Sequence, residues 1–133
     1  MNNYNLSEIN ESFDLIFAIS TFTHLLRKDA TDYLKSIRNL IKPNGCIYIT
    51  CFIIDEYFYR FSNETGKHTN LIQKEDGCFY GYEKQDFFCG YTPSIFDEMV
   101  SSCGFKIVSY EIGNWAKKPG SRTYQDTFVL IPY

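Results

Sequence analysis

Phe13-Asp14-Leu15-Ile16-Phe17-Ala18-Ile19-Ser20-Thr21-Phe22-Thr23-His24-Leu25 opens the stretch that decides the fold. It continues through Leu40-Ile41-Lys42-Pro43-Asn44-Gly45 into Cys46-Ile47-Tyr48-Ile49-Thr50-Cys51-Phe52-Ile53-Ile54-Asp55. From Phe13 to Ile19 every residue but Asp14 is apolar, without alternation, the pattern of a strand covered on both faces. Ser20 to His24 breaks that run. Asp29 is then placed to cap a helix in which Ala30, Tyr33, Leu34, Ile37, Leu40 and Ile41 recur on one face. Asp32 in its first turn and Lys42 in its last suit the helix dipole, and Pro43-Asn44-Gly45 predicts its end. Cys46 to Ile54 is a second continuous apolar strand. Strand, helix and strand joined by short links make a βαβ unit over 13–54, which implies parallel strands and a right-handed crossover.

Working outward, residues 1–12 are a polar lead-in rich in Asn, Ser and Glu, with nothing that cradles a phosphate or carboxylate. They are too short to be the opening half of a sheet. On the other side, residues 55–91 form a long insertion carrying four glycines and ten Tyr or Phe residues. Loops of that length are usually functional or hold small elements of their own. The pattern predicts a helical turn near Glu56–Phe61 and a short hairpin near Leu71–Tyr82. Thr92-Pro93 opens a further helix, with Thr92 as N-cap and Pro93 in the first helical position. Phe96, Met99, Val100 and Cys103 mark its buried face, and Gly104 ends it in a left-handed cap. Lys106–Ile112 alternates as an outer strand does, 113–124 is a loop with the only tryptophan, Trp115, and Thr127–Ile131 is a last strand. Residues 92–131 thus read as a helix followed by an antiparallel closing pair.

The chain has 133 residues, 44% of them hydrophobic and 18% aromatic, with a net charge of -3. That suits a single domain over 1–133 with a real core. Mild acidity argues against a nucleic-acid binder, which carries a basic face. No apolar run approaches the roughly 18 residues of a membrane span, and the N-terminus has no signal-peptide pattern. Cys46, Cys51, Cys78, Cys89 and Cys103 make an odd count without a CxxC pair. Reduced thiols in a cytoplasmic protein are the simplest reading, and no metal site is expected.

In the order and spacing of its motifs the chain resembles the C-terminal half of a class I (Rossmann-like) S-adenosylmethionine-dependent methyltransferase. That family carries a Phe-Asp-hydrophobic strand leading into a Ser-x-x-x-His-Leu segment, here Phe13-Asp14-Leu15-Ile16 to Ser20-Thr21-Phe22-Thr23-His24-Leu25. A Leu-Lys-Pro-Gly-Gly type turn follows, here Leu40-Ile41-Lys42-Pro43-Asn44-Gly45 with Asn for the first Gly. A later helix ends in a Gly-Phe pair, here Gly104-Phe105 before Lys106-Ile107-Val108. Gly113-Asn114-Trp115 and Tyr124-Gln125-Asp126 look like the family's ending. The resemblance covers nearly all of 12–131 and implies an α/β fold: a partial methyltransferase sheet of strands equivalent to the fourth to seventh, the last antiparallel, with flanking helices and an aromatic-rich insertion.

The departure from the family pattern is as informative. No Gly-rich turn of the G-x-G type precedes Phe13, so strands one to three, with most of the cofactor contacts, are absent from the reading. The family's crevice lies between its first and fourth strands, at the switch point of the sheet. This chain then supplies one wall: by resemblance Ala18, Ile19, Ser20 and Thr21 line S-adenosylmethionine. Without the first strand, Phe13–Ile19 lies at a sheet edge, a template for pairing. The expectation is that a second copy in a homodimer, or the missing N-terminal half, covers it.

His24, just past the strand end, is either the base that takes a proton from the methyl acceptor or a residue that orients the loop by hydrogen bonding. Asp55 is either a substrate contact or a cap at the loop start. Tyr57, Tyr59, Tyr82 and Trp115 are candidate walls for a small-molecule acceptor, or else the packing of a satellite core under the insertion. His68 and Lys117-Lys118 read as solvated surface groups. Two functions follow: the C-terminal portion of a methyltransferase, or a non-catalytic methyltransferase-like dimerisation or subunit module without its own cofactor site.

Overall fold

The computed structural model describes residues 6–67, 71–73, 77–83, 85–116 and 122–133. Strand β1 (Phe13–Ala18) leads through a 3-10 turn (Phe22–His24) into helix α1 (Arg27–Arg38) and strand β2 (Ile41–Cys51). Helix α2 (Glu56–Thr65) follows, then strands β3 (Ile72–Gln73), β4 (Cys78–Glu83) and β5 (Asp86–Tyr91), helix α3 (Pro93–Ser102), and strands β6 (Phe105–Glu111) and β7 (Asp126–Pro132). The main sheet has the order β1-β2-β7-β6. β1 and β2 are parallel, with Phe17 opposite Tyr48 and Ala18 opposite Ile49. β7 inserts between β2 and β6 and runs antiparallel to both. This is the α/β architecture expected, with the closing pair antiparallel.

One face of the sheet is covered. Ile47, Ile49, Phe128 and Leu130 pack there against Ala30, Leu34 and Ile37 of α1 and Phe96, Met99 and Val100 of α3. The spacing that predicted both helices is the spacing of those buried side chains. The other face carries Phe17 edge-on to Tyr48, and Leu15, Phe17 and Ile19 are all exposed. Phe13–Ile19 is therefore covered on one face only, not on both, because among the described residues both α1 and α3 pack on the same side.

Four local expectations shift. The helix ends at Arg38, with Leu26 rather than Asp29 at its N-cap position and Asp29 inside the first turn. Ile41 already pairs with Phe13, and the β1–β2 register slips before Leu15 meets Cys46. Pro43-Asn44-Gly45 is thus an irregularity within β2 rather than the helix stop, since Pro43 has no N–H for the ladder. The predicted turn near Glu56–Phe61 is a full helix running to Thr65, capped by Asp55, whose Oδ1 accepts from the Phe58 N–H at 3.1 Å. The hairpin expected near Leu71–Tyr82 is a three-stranded antiparallel sheet, β3-β4-β5. Thr92 caps α3 as expected, accepting from the Ile95 N–H, and Gly104 follows with φ +83°, a left-handed conformation that disfavours a side chain. His68 and Lys117-Lys118 lie outside the described residues.

The small sheet is fastened to the end of β2. Ile53 bridges Tyr91 in parallel, the Ile54 N–H donates to the Tyr91 carbonyl, and the Tyr91 N–H donates to that of Phe52. This places β5 beside the C-terminal ends of β1 and β2, where a doubly wound sheet offers its crevice.

Candidate functional site

Ser20 turns the chain off β1. It has φ 57°, the one non-glycine in the left-handed region among the described residues, and such strain gathers at functional turns. Two bonds hold it: its N–H donates to Thr50 Oγ1 at 2.8 Å, and its hydroxyl accepts from Gln125 Nε2 at 2.8 Å. The Thr23 hydroxyl donates back to the Ser20 carbonyl at 2.7 Å. The rim is thus built from β1, β2 and the approach to β7 at once.

The 3-10 turn is anchored from below by β5. The buried Tyr91 hydroxyl donates to the Phe22 carbonyl at 2.8 Å and also meets that of Leu25, while Cys89 Sγ donates to Leu25 at 3.0 Å. Burial pushes the Tyr91 hydroxyl well above its usual range and the Cys89 thiol up to about 12. Both therefore stay protonated donors near neutral pH. His24, at the end of this turn, is exposed. Its Nδ1 lies 2.9 Å from the Phe87 carbonyl. A carbonyl only accepts, so Nδ1 donates to it, and in the tautomer with its proton there Nε2 is an acceptor.

Asp126 organises the opposite wall. It is fully buried and accepts from the Ile53 N–H at 2.8 Å, the Gly113 N–H at 2.8 Å and Trp115 Nε1 at 2.9 Å. These bonds tie β2's extension, the 113–116 loop and β7 together. Gly113 is required by close approach, since a Cβ there would collide with the backbone of Tyr124, Gln125 and Asp126. Trp115 packs on Phe52, with ring centroids 4.7 Å apart, and stacks on Phe58 at 5.4 Å.

Between these walls lies a cavity of about 340 Å³ whose lining includes Ser20, His24, Phe52, Phe88, Trp115 and Gln125. Gln125 Oε1 is buried and has no hydrogen-bond partner among the described residues. Of the residues singled out from the sequence, Ser20, His24 and Trp115 meet here. Ala18 is buried beneath and Ile19 is exposed beside the rim, and Thr21 precedes the 3-10 turn. The other aromatic candidates lie elsewhere. Asp55 and Tyr57 line a separate, mostly apolar cavity of about 410 Å³ with Phe96, Tyr110 and Phe128. Tyr59 and Tyr82 are exposed on α2 and β4, away from both cavities. Among the described residues no cluster of three or more His, Cys, Asp or Glu is placed to hold a metal.

Thr50, Phe52, Phe88, Gln125 and Asp126 belong to the site and were not among the sequence candidates. The signals for them were the aromatic insertion, which holds Phe88, and Tyr124-Gln125-Asp126 as part of a family-like ending; the partners of the rest lie far away in sequence.

Residues 2–49 match a family model described as a methyltransferase domain. The whole chain superposes on solved methyltransferases. An S-adenosylmethionine-dependent methyltransferase from Clostridium acetobutylicum is 19% identical with a TM-score of 0.61, over 97% of this chain and 61% of that one. The CcbJ methyltransferase from Streptomyces caelestis is 14% identical with a TM-score of 0.64, over 100% and 66%. The chain has the fold of the C-terminal part of a class I methyltransferase domain. The glycopeptide N-methyltransferase MtfA, solved with S-adenosylmethionine, is similar too, at 8% identity with a TM-score of 0.58 over 94% and 56%. This methyltransferase-like chain spans less than two thirds of each of these relatives.

Proposed function

We propose that this chain forms the acceptor side of an S-adenosylmethionine-dependent methyltransferase that modifies a small molecule. The observation that carries the reading is the rim Ser20–His24. A strained turn, locked by Thr50 and Gln125, opens a cavity at the ends of two parallel strands, where such folds bind ligands. Ala18–Thr21 fit one wall of a cofactor site: Ile19 offers an exposed apolar side chain for a flat ring, and Ser20 and Thr21 offer hydroxyls. S-adenosylmethionine, when bound, supplies a methyl group on a positively charged sulfur, open to in-line attack by a lone pair. The chain's own part is positional and acid–base. The cavity walls hold the acceptor, Ser20 and Gln125 fix the rim, and His24 Nε2 takes the proton that the acceptor loses. The likeness to solved methyltransferases and the match over 2–49 support the same reaction class.

The direct test follows methyl transfer from isotopically labelled S-adenosylmethionine to a panel of small phenols and amines. His24→Gln is expected to lower kcat about 100-fold or more with KM little changed, as loss of a general base does. No transfer to any acceptor by the folded wild-type chain contradicts a catalytic role.

A second reading is favoured by one observation: among the described residues β1 pairs only with β2, and Leu15, Phe17 and Ile19 are exposed beside that edge. It is that the chain associates with a second copy across β1 about a two-fold axis. The odd number of cysteines supports a reducing, cytoplasmic location.

A further inference from the structure

We propose that the apolar cavity between α3, β6 and the start of α2 binds a small organic cation, an aromatic or aliphatic body carrying one protonated or quaternary nitrogen. The proposal stands apart from the methyltransferase reading, and the fate of either leaves the other untouched.

The cavity is distinct from the rim. Phe52 lines the rim cavity and Ile53 this one, as successive residues of an extended segment point to opposite sides. The two cavities share no lining residue. A volume of about 410 Å³ falls within the ~300–1,000 Å³ of small-molecule sites.

Its walls are aromatic. Tyr110 stacks on Phe128, with ring centroids 4.6 Å and planes 7° apart, and Phe128 packs on Phe96 at 4.3 Å. Tyr110 is still 44% exposed, so that stack covers only part of its ring. Tyr57 adds a further ring from α2. The faces of such rings attract cations through their quadrupole.

The charged groups of the lining have one sign. Asp55 and Asp97 supply carboxylates, and no Lys, Arg or His lines the cavity among the described residues. Asp97 makes no ion pair among those residues. The carboxylates are felt at the wall: burial first, then Asp126 and Asp55, push the Tyr110 hydroxyl above its usual range. The two helix starts beside the cavity are already capped, by Asp55 on the Phe58 N–H and by Thr92 on the Ile95 N–H. Aromatic faces beside carboxylates, with no cation of the chain's own, leave that place to a cationic ligand.

Three probes of similar shape are titrated into the ¹⁵N-labelled chain: 2-phenylethylammonium, neutral 2-phenylethanol and anionic 3-phenylpropionate. The amides of Tyr57, Ile107 and Tyr110 report on this cavity, and the indole of Trp115, the only tryptophan, reports on the rim. The ammonium is expected to shift the three amides and to bind about tenfold or more tighter than the alcohol, with the carboxylate weakest. Added salt is expected to weaken the ammonium more than the alcohol. Asp97→Asn, at an exposed position, is expected to narrow the gap between them about threefold. Asp55→Ser removes the other charge and keeps an oxygen to cap α2, with the same expected result. Equal affinity for ammonium and alcohol, tightest binding by the carboxylate, no amide shift at millimolar concentration, or shifts confined to Trp115 overturn the proposal. So does a gap unchanged in both folded variants. The probe comparison is made in the wild-type chain, so it holds even where a variant fails to fold.

Discussion

Asp126 has no solvent exposure and gathers three donors, from Ile53, Gly113 and Trp115, onto one carboxylate. Hydrogen bonds to a buried charge are worth more than neutral ones, and an amide in its place turns one acceptor into a donor facing donors. Asp126→Asn is therefore expected to lower unfolding free energy by about 2–4 kcal/mol and to shift Trp115 emission, as read by urea denaturation; a loss under about 0.5 kcal/mol contradicts the role. In the sequence, Asp126 sits before an apolar strand and looks like any strand-opening residue. Its importance comes from donors 11 to 73 positions away, which no local pattern reveals. His24 was legible by its place after an apolar strand, but the tautomer that gives it a use depends on Phe87. The cysteines make a second residue-scale prediction. Cys46 is half-buried and the other four are buried, so Cys46 reacts first with a thiol reagent and the rest only on unfolding. Cys89 is pushed from 9.0 to about 12 by burial. The folded state thus holds a proton that the unfolded chain releases near pH 9. Its contribution to stability is present below pH 9 and is lost as pH rises toward 12, by about 1.4 kcal/mol per pH unit. Cys89→Ala is expected to flatten that alkaline loss in urea melts at stepped pH, and an unchanged slope contradicts it.

At the scale of elements, the 3-10 turn and β5 act as one piece. Tyr91 ties the carbonyls of Phe22 and Leu25 to the small sheet, and His24 reaches Phe87 from above. Tyr91→Phe leaves those buried carbonyls without that donor and is expected to cost about 1–3 kcal/mol. It is also expected to weaken ligand binding at the rim, because Ser20–His24 loses its support. Calorimetric titration of a rim ligand checks this, and unchanged affinity in a folded variant counts against the coupling. The helices and the two long strands were readable from apolar spacing, since burial repeats along the chain at the period of the element. The end of α1 was not. Leu40 and Ile41 continue the helical spacing, yet Ile41 pairs with Phe13, and tertiary pairing outweighed propensity. In the insertion the helical start near Glu56 and a hairpin near Leu71–Tyr82 were readable, but the full length of α2 and the third strand β5 were not, because β5 is defined by its pairing with β4.

For the molecule as a whole, among the described residues one face of the main sheet is covered by α1 and α3, and the other is exposed at β1. The run Phe13–Ile19 predicted two covered faces, and the exposed Phe17 and Ile19 mark where the described residues do not supply the second cover. A two-fold partner on that edge predicts a dimer in sedimentation, weakened about tenfold or more by Phe17→Lys, since a charge on an edge strand opposes pairing; a monomer at all concentrations with Phe13–Ile19 solvated contradicts it. Whether the rim works as part of a methyltransferase is read from isothermal titration of S-adenosylhomocysteine into the purified chain. Saturable micromolar binding is expected, weakened in Ser20→Gly, which keeps the left-handed turn but removes the hydroxyl that Gln125 holds. A folded chain that takes up no S-adenosylhomocysteine at millimolar concentration contradicts it.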